Sequence, residues 1–135
     1  MEGVPPFSAT TNAEPLLDCA RLRELEAHIG RKALGQLLNA MHDALSSIGP
    51  EFSCPDTPEA VSAVAANAHG LKGVAANFGC TRVVSLARAV ERAAGGADAG
   101  ALASAVAQLK LAVSATRIAL RSWYVEDDIN YQSNA

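Results

Sequence analysis

A chain of 135 residues has room for one domain with a real core and not for two. Half of its residues are hydrophobic while aromatics make up only 4%, so the core must come from Ala, Leu and Val, a composition that favours helices over sheets. A net charge of -3 without a basic run excludes a nucleic-acid footprint, and the sequence shows neither a secretory signal nor an uninterrupted apolar segment of about 18 residues.

Residues 1–16, rich in Pro, Ser, Thr and Asn, read as a flexible lead-in. Asp18 then stands at the N-cap of a short helix with Leu22, Leu25 and Ile29 on one face, ended by Gly30. A second helix follows from about Arg31, with Leu34, Leu37, Leu38, Met41, Leu45 and Ile48 turned to the core, until Gly49-Pro50 stops it. The stretch Pro50 to Asp56 is a loop. Thr57-Pro58-Glu59 then supplies an N-cap, a proline at the first helical position and an acid in the first turn. This third helix buries Val61, Val64, Ala68, Leu71, Ala75 and Phe78, with Gly79 as its cap. A fourth helix runs from about Thr81 to Ala94 with Val83, Leu86, Ala87 and Val90 inward. After the Gly95-Gly96 break, a fifth begins near Ala101 and carries Leu102, Val106, Leu109, Val113 and Leu120 on one face toward Trp123.

The expected architecture is therefore all-α: an antiparallel up-down-up-down four-helix bundle over residues 17–125, preceded by one short extra helix and followed by a polar acidic tail, residues 126–135. Glu126, Asp127 and Asp128 read as a solvated end and not a metal site, because consecutive acids on a tail do not converge on one point. Cys19, Cys54 and Cys80 are odd in number and lack CxxC pairing, which fits small, partly buried thiols in a reducing, cytoplasmic compartment.

Each helical residue advances by about 100 degrees, so His69 stands one step round from the inward Ala68 and lies on the rim or outside. Its neighbours three and four residues away are Ala65, Ala66, Lys72 and Gly73, with Ser62 and Ala76 one turn further; apart from Lys72 all are small. Gly70 and Gly73 each cost a helix about 1 kcal/mol relative to alanine, so a purely structural design would not place them there. They leave the imidazole uncrowded and open to another protein. Lys72 is within reach of a group attached to the ring, where a mobile ammonium can screen a phosphoryl dianion. A neutral imidazole near pH 7 is nucleophilic, and the phosphoramidate it forms is labile enough to pass its phosphoryl on.

A lone histidine on an amphipathic helix is an ordinary surface residue. What singles this one out is the string Ala68-His69-Gly70-Leu71-Lys72-Gly73, followed by Ala75, Ala76, Phe78 and Gly79, then by Leu86, Val90 and Glu91. Together with Asp18, Leu22, Leu25 and Ile29-Gly30 upstream, this resembles the histidine-phosphotransfer (HPt) family over about residues 17 to 120. Val74 departs mildly, since a smaller residue is usual after the glycine.

The resemblance implies that His69 accepts a phosphoryl group from an aspartate of one response-regulator receiver domain and returns it to an aspartate of another, with Lys72 assisting the phosphorylated state. Gly73 would admit the receiver, on a docking surface shared with Ala65, Ala66, Gly70 and Ala76. The expected partners are receivers and a hybrid sensor histidine kinase, with no nucleic acid and no membrane, and the chain is expected to be a monomer. No cofactor of its own is expected, the Mg²⁺ belonging to the receiver, and no metal site. Without a Gly-rich ATP loop, phosphorylation from ATP by this chain alone is not expected. Gln36, Asn39 and His42 on the second helix, or Arg88 and Arg92 on the fourth, are candidates to border the site.

Three alternatives stay open: the phosphorylatable module of a hybrid or chemotaxis-type sensor kinase, a non-catalytic helical adaptor, and a metal-binding bundle using His28, His42 and His69. Met1 and the lead-in favour a free-standing shuttle over the first. The metal bundle lacks Glu-x-x-His pairs, since Leu25 and Asn39 precede His28 and His42 by three.

Overall fold

A computed structural model describes residues 15–46, 57–96 and 98–133. Among them are five helices and no strand: α1 (Cys19–Ile29), α2 (Arg31–Ser46), α3 (Pro58–Asn77), α4 (Thr81–Gly95) and α5 (Ala99–Ser133). Most of the lead-in, the loop from Pro50 to Asp56, Ile48 and Cys54 lie outside the described residues.

The helix ends follow local chemistry. Asp18 caps α1 by accepting a hydrogen bond from the Arg21 amide at 3.2 Å, and Thr57 caps α3 by accepting from Ala60 at 3.0 Å ahead of Pro58. Asp98 accepts from the Ala101 amide at 3.1 Å, which starts α5 earlier than the apolar stripe alone suggests. α5 also continues to Ser133, past the Trp123 at which its apolar face runs out.

The core is a single cluster in which α3 packs on α4, α4 on α5, α5 on α2, and α1 on α2. Leu34, Leu38, Met41 and Leu45 of α2, Val64, Ala68 and Ala75 of α3, and Val83, Leu86, Ala87 and Val90 of α4 are all buried, as are the five α5 positions expected inward. Leu25, Val61, Leu71 and Phe78 are partly buried against this cluster, and two expected core residues are exposed. Leu37 is 40% exposed, because the buried stripe of α2 follows residues 34, 38, 41 and 45 and Leu37 falls a step outside it. Ile29 is exposed at the end of α1, where Gly30 turns the chain away. Conversely, Thr116 is fully buried between Val113 and Leu120, its hydroxyl unpartnered.

The segment Ala99–Glu126 is long and apolar enough to cross a membrane by length and composition, although Lys110, Arg117 and Arg121 interrupt it. Part of its apolar character comes from side chains it gives to the core, from Leu102 to Leu120, and part from Leu111 and Ile118, which are exposed. The cysteines also divide. Cys80 is fully buried, and burial pushes its thiol up to about 12, so it stays protonated and inert; Cys19 is exposed, against the expectation of a partly buried thiol, because it opens α1 at the surface.

Candidate functional site

The turn between α3 and α4 sets how the two helices meet. Gly79 adopts a φ of +67°, and the amides of Gly79 and Cys80 close back on the carbonyls of Ala76 and Ala75 at 3.3 and 2.9 Å, a Schellman ending. The Gly79 carbonyl accepts the Asp18 amide at 2.7 Å, which fastens the start of α1 to the same turn. From this corner α4 runs beside α3 with Val83, Leu86, Ala87 and Val90 buried. The residue after Val90, Glu91, thereby comes to the face that carries His69.

With Ala68 fully buried, the next step round α3 carries His69 outward, and its side chain is 72% exposed. The ring does not hang free: Nδ1 lies 2.8 Å from Oε2 of Glu91, while Nζ of Lys72 donates to Oε1 of the same carboxylate at 2.7 Å. Because a carboxylate only accepts, the ring nitrogen facing it carries the hydrogen, and the neutral imidazole is then the tautomer with its lone pair on Nε2, the nitrogen away from Glu91. The hydrogen bond from Lys72, and then that from His69, hold the Glu91 carboxyl below the usual carboxylate range.

The surroundings are bare. Ala66, Gly70, Gly73 and Ala76 are exposed and Ala65 is half-buried, and a Cβ built on Gly70 or Gly73 would meet no atom within 4 Å. Val74 points outward and is 45% exposed.

Glu91, one of the residues that carry the family resemblance, is the site residue to which sequence reasoning assigns no role. The signal available was Lys72, a cation on a half-buried shoulder in need of a counter-charge. Among the other candidates, Arg88 lies one turn before Glu91 and borders a cavity together with Ala76. Arg92 is exposed in the last turn of α4, where a cation suits the helix dipole. Gln36 is exposed, while Asn39 and His42 line a groove against Leu120 and Tyr124 of α5. The other histidines have local partners, His28 with the Glu24 carbonyl and His42 with Asp43, and among the described residues no three His, Cys, Asp or Glu side chains converge.

No curated protein and no solved structure matches the chain significantly. Residues 20–119, most of the chain and the whole of α3 and α4, match the Hpt domain. The protein thus belongs to the Hpt family, the histidine-phosphotransfer modules of two-component signalling.

Proposed function

We propose that the protein relays a phosphoryl group through Nε2 of His69 between aspartates of response-regulator receiver domains, in a cytoplasmic phosphorelay. The observation that carries this reading is the arrangement of three side chains: an imidazole 72% exposed, with Nδ1 at 2.8 Å from Glu91 and Lys72 on the same carboxylate. In the transfer the Nε2–P bond forms as the bond from phosphorus to the aspartyl oxygen breaks, and the carboxylate leaves as an anion. The ring keeps its Nδ1 hydrogen and becomes cationic, and Glu91 stands where that charge develops. Lys72 stabilises the phosphoryl, its flexible stem letting the ammonium turn from Glu91 toward the new anion.

Gly73, Gly70, Ala65, Ala66 and Ala76 form the surface on which the receiver seats, and the receiver brings its own Mg²⁺ and acidic pocket. The protein works as a monomer without a cofactor, its four longer helices in the family's antiparallel up-down-up-down order. Incubation with a phosphorylated receiver domain moves label onto the wild-type chain in an acid-labile, alkali-stable form. His69→Gln abolishes that labelling with helicity unchanged; label persisting on the variant refutes the assignment.

A further inference from the structure

Seven residues beyond His69 along α3, about 10 Å at the helical rise, Ala76 forms part of the rim of a cavity of about 310 Å³ between α3, α4 and the start of α1. Asp18, Arg21, Thr81, Ser85 and Arg88 supply its polar lining. Most of these groups are committed within the protein. The Asp18 carboxylate caps α1, Arg21 donates Nε to the Asn77 carbonyl at 3.2 Å and pairs with Glu24 at 3.3 Å, and the Thr81 hydroxyl donates to the Pro15 carbonyl at 2.5 Å. Arg88 is different: it is exposed and, among the described residues, makes no hydrogen bond or ion pair. One turn on, the acid of the same helix, Glu91, is taken up by Lys72 and His69. The Glu91 charge on the face that carries His69 is therefore taken up internally. Arg88 presents a guanidinium without an ion pair among the described residues, beside a cavity roomy enough to admit a side chain. The one carboxylate lining that cavity, Asp18, is engaged as a helix cap.

Resting on the relay reading above, we infer that Arg88 is a specificity-determining contact, pairing with an acidic side chain that the docked receiver domain places in this cavity. A protein interface of ordinary size covers about 800 Å² on each partner, which as a disc centred on His69 reaches about 16 Å and so takes in Ala76 and the cavity behind it. An Arg at such a rim steers the encounter and rejects surfaces lacking an acid there, so it acts on association more than on the transfer step. Receivers with a carboxylate at this point are selected over those with a neutral or basic residue. Arg88 touches no reacting atom.

The test uses the full chain as wild type, Arg88→Lys and Arg88→Glu, with two kinds of phosphodonor. Phosphoramidate, a small donor that needs no docking surface, labels His69 equally in all three. Receiver domains encoded in the same genome, each phosphorylated with acetyl phosphate, supply the second donor, and the receiver fastest with wild type is followed. Arg88→Glu lowers the second-order transfer constant from that receiver about tenfold at low salt and by less than about threefold at 0.5 M salt, where rim charges are screened. Arg88→Lys keeps the wild-type rate within about twofold, because it keeps the charge. An unchanged rate for Arg88→Glu at low salt, or an equal loss in Arg88→Lys, overturns the proposal. Failure of phosphoramidate and of every receiver to label wild-type His69 overturns instead the relay reading on which it rests.

Discussion

The outward face of α3 and the turn that ends it both use glycine, for opposite reasons. At Gly79 the backbone needs it: φ is +67°, and a Cβ would stand 2.9 Å from the Asp18 carbonyl oxygen and 3.1 Å from Cβ of Arg21. At Gly73 the backbone is ordinary helix and a Cβ would meet nothing within 4 Å. On the relay reading proposed above, a residue whose absence of side chain the fold does not require, at a cost of about 1 kcal/mol of helix propensity, is room for the docking receiver. Glycine thus serves the backbone in one place and, on that reading, access in the other, and only the surroundings tell them apart.

The sharpest way to break this contrast is to fill the two positions separately. Gly73→Gln places a long side chain one turn from His69 and is expected to lower transfer from a receiver by about 100-fold or more, the scale of a displaced reacting group. Its denaturation midpoint should hold or rise, because Gln is the better helix former. Normal transfer kinetics in this variant would remove the steric argument. Gly79→Ala should behave the other way round. Strain at positive φ and the clash with Asp18 destabilise it by about 1–3 kcal/mol in urea titration, while the fraction that remains folded still transfers; a neutral effect on stability would show that the corner relaxes freely.

The fold was legible where local chemistry decides. Thr57-Pro58-Glu59, the Gly79 ending and the ladder of Val83, Leu86, Ala87 and Val90 each state a boundary or a face within a few residues of sequence. Leu37 misleads because a three-residue step and a four-residue step both fit a helix, and only the partner helix selects between Leu37 and Leu38. Thr116 was passed over because its hydroxyl disguises a position that lies on the apolar stripe. The site divides along the same line. His69, Lys72 and the small residues share one helix, so their neighbourhood follows from helical geometry. Glu91 belongs to another helix, and its arrival at Nδ1 depends on how α4 is rotated and shifted against α3, which periodicity does not specify. Asn39 and His42 illustrate the converse: their helix is right, but they turn to the groove with α5.

Glu91 offers the subtlest test, because it joins the bare face to the packed interior. Its carboxyl titrates below the usual range in the folded protein, first through the Lys72 hydrogen bond and then through that of His69. A group whose folded pKa is depressed contributes stability above its unfolded pKa and loses it as pH falls through the folded one. Glu91→Gln abolishes that titration, so the difference in thermal midpoint between wild type and variant should be greatest near neutrality and shrink as pH falls below the ordinary carboxylate range. The effect is small, since both partners are solvent-accessible on a helix surface. A difference independent of pH across that range would mean that the amide replaces the carboxylate in shape but that its charge contributes nothing to the fold. Transfer kinetics then separate the two roles of the residue: with the charge lost, the cationic ring formed on phosphorylation has no anion at Nδ1, and the rate falls even where stability does not.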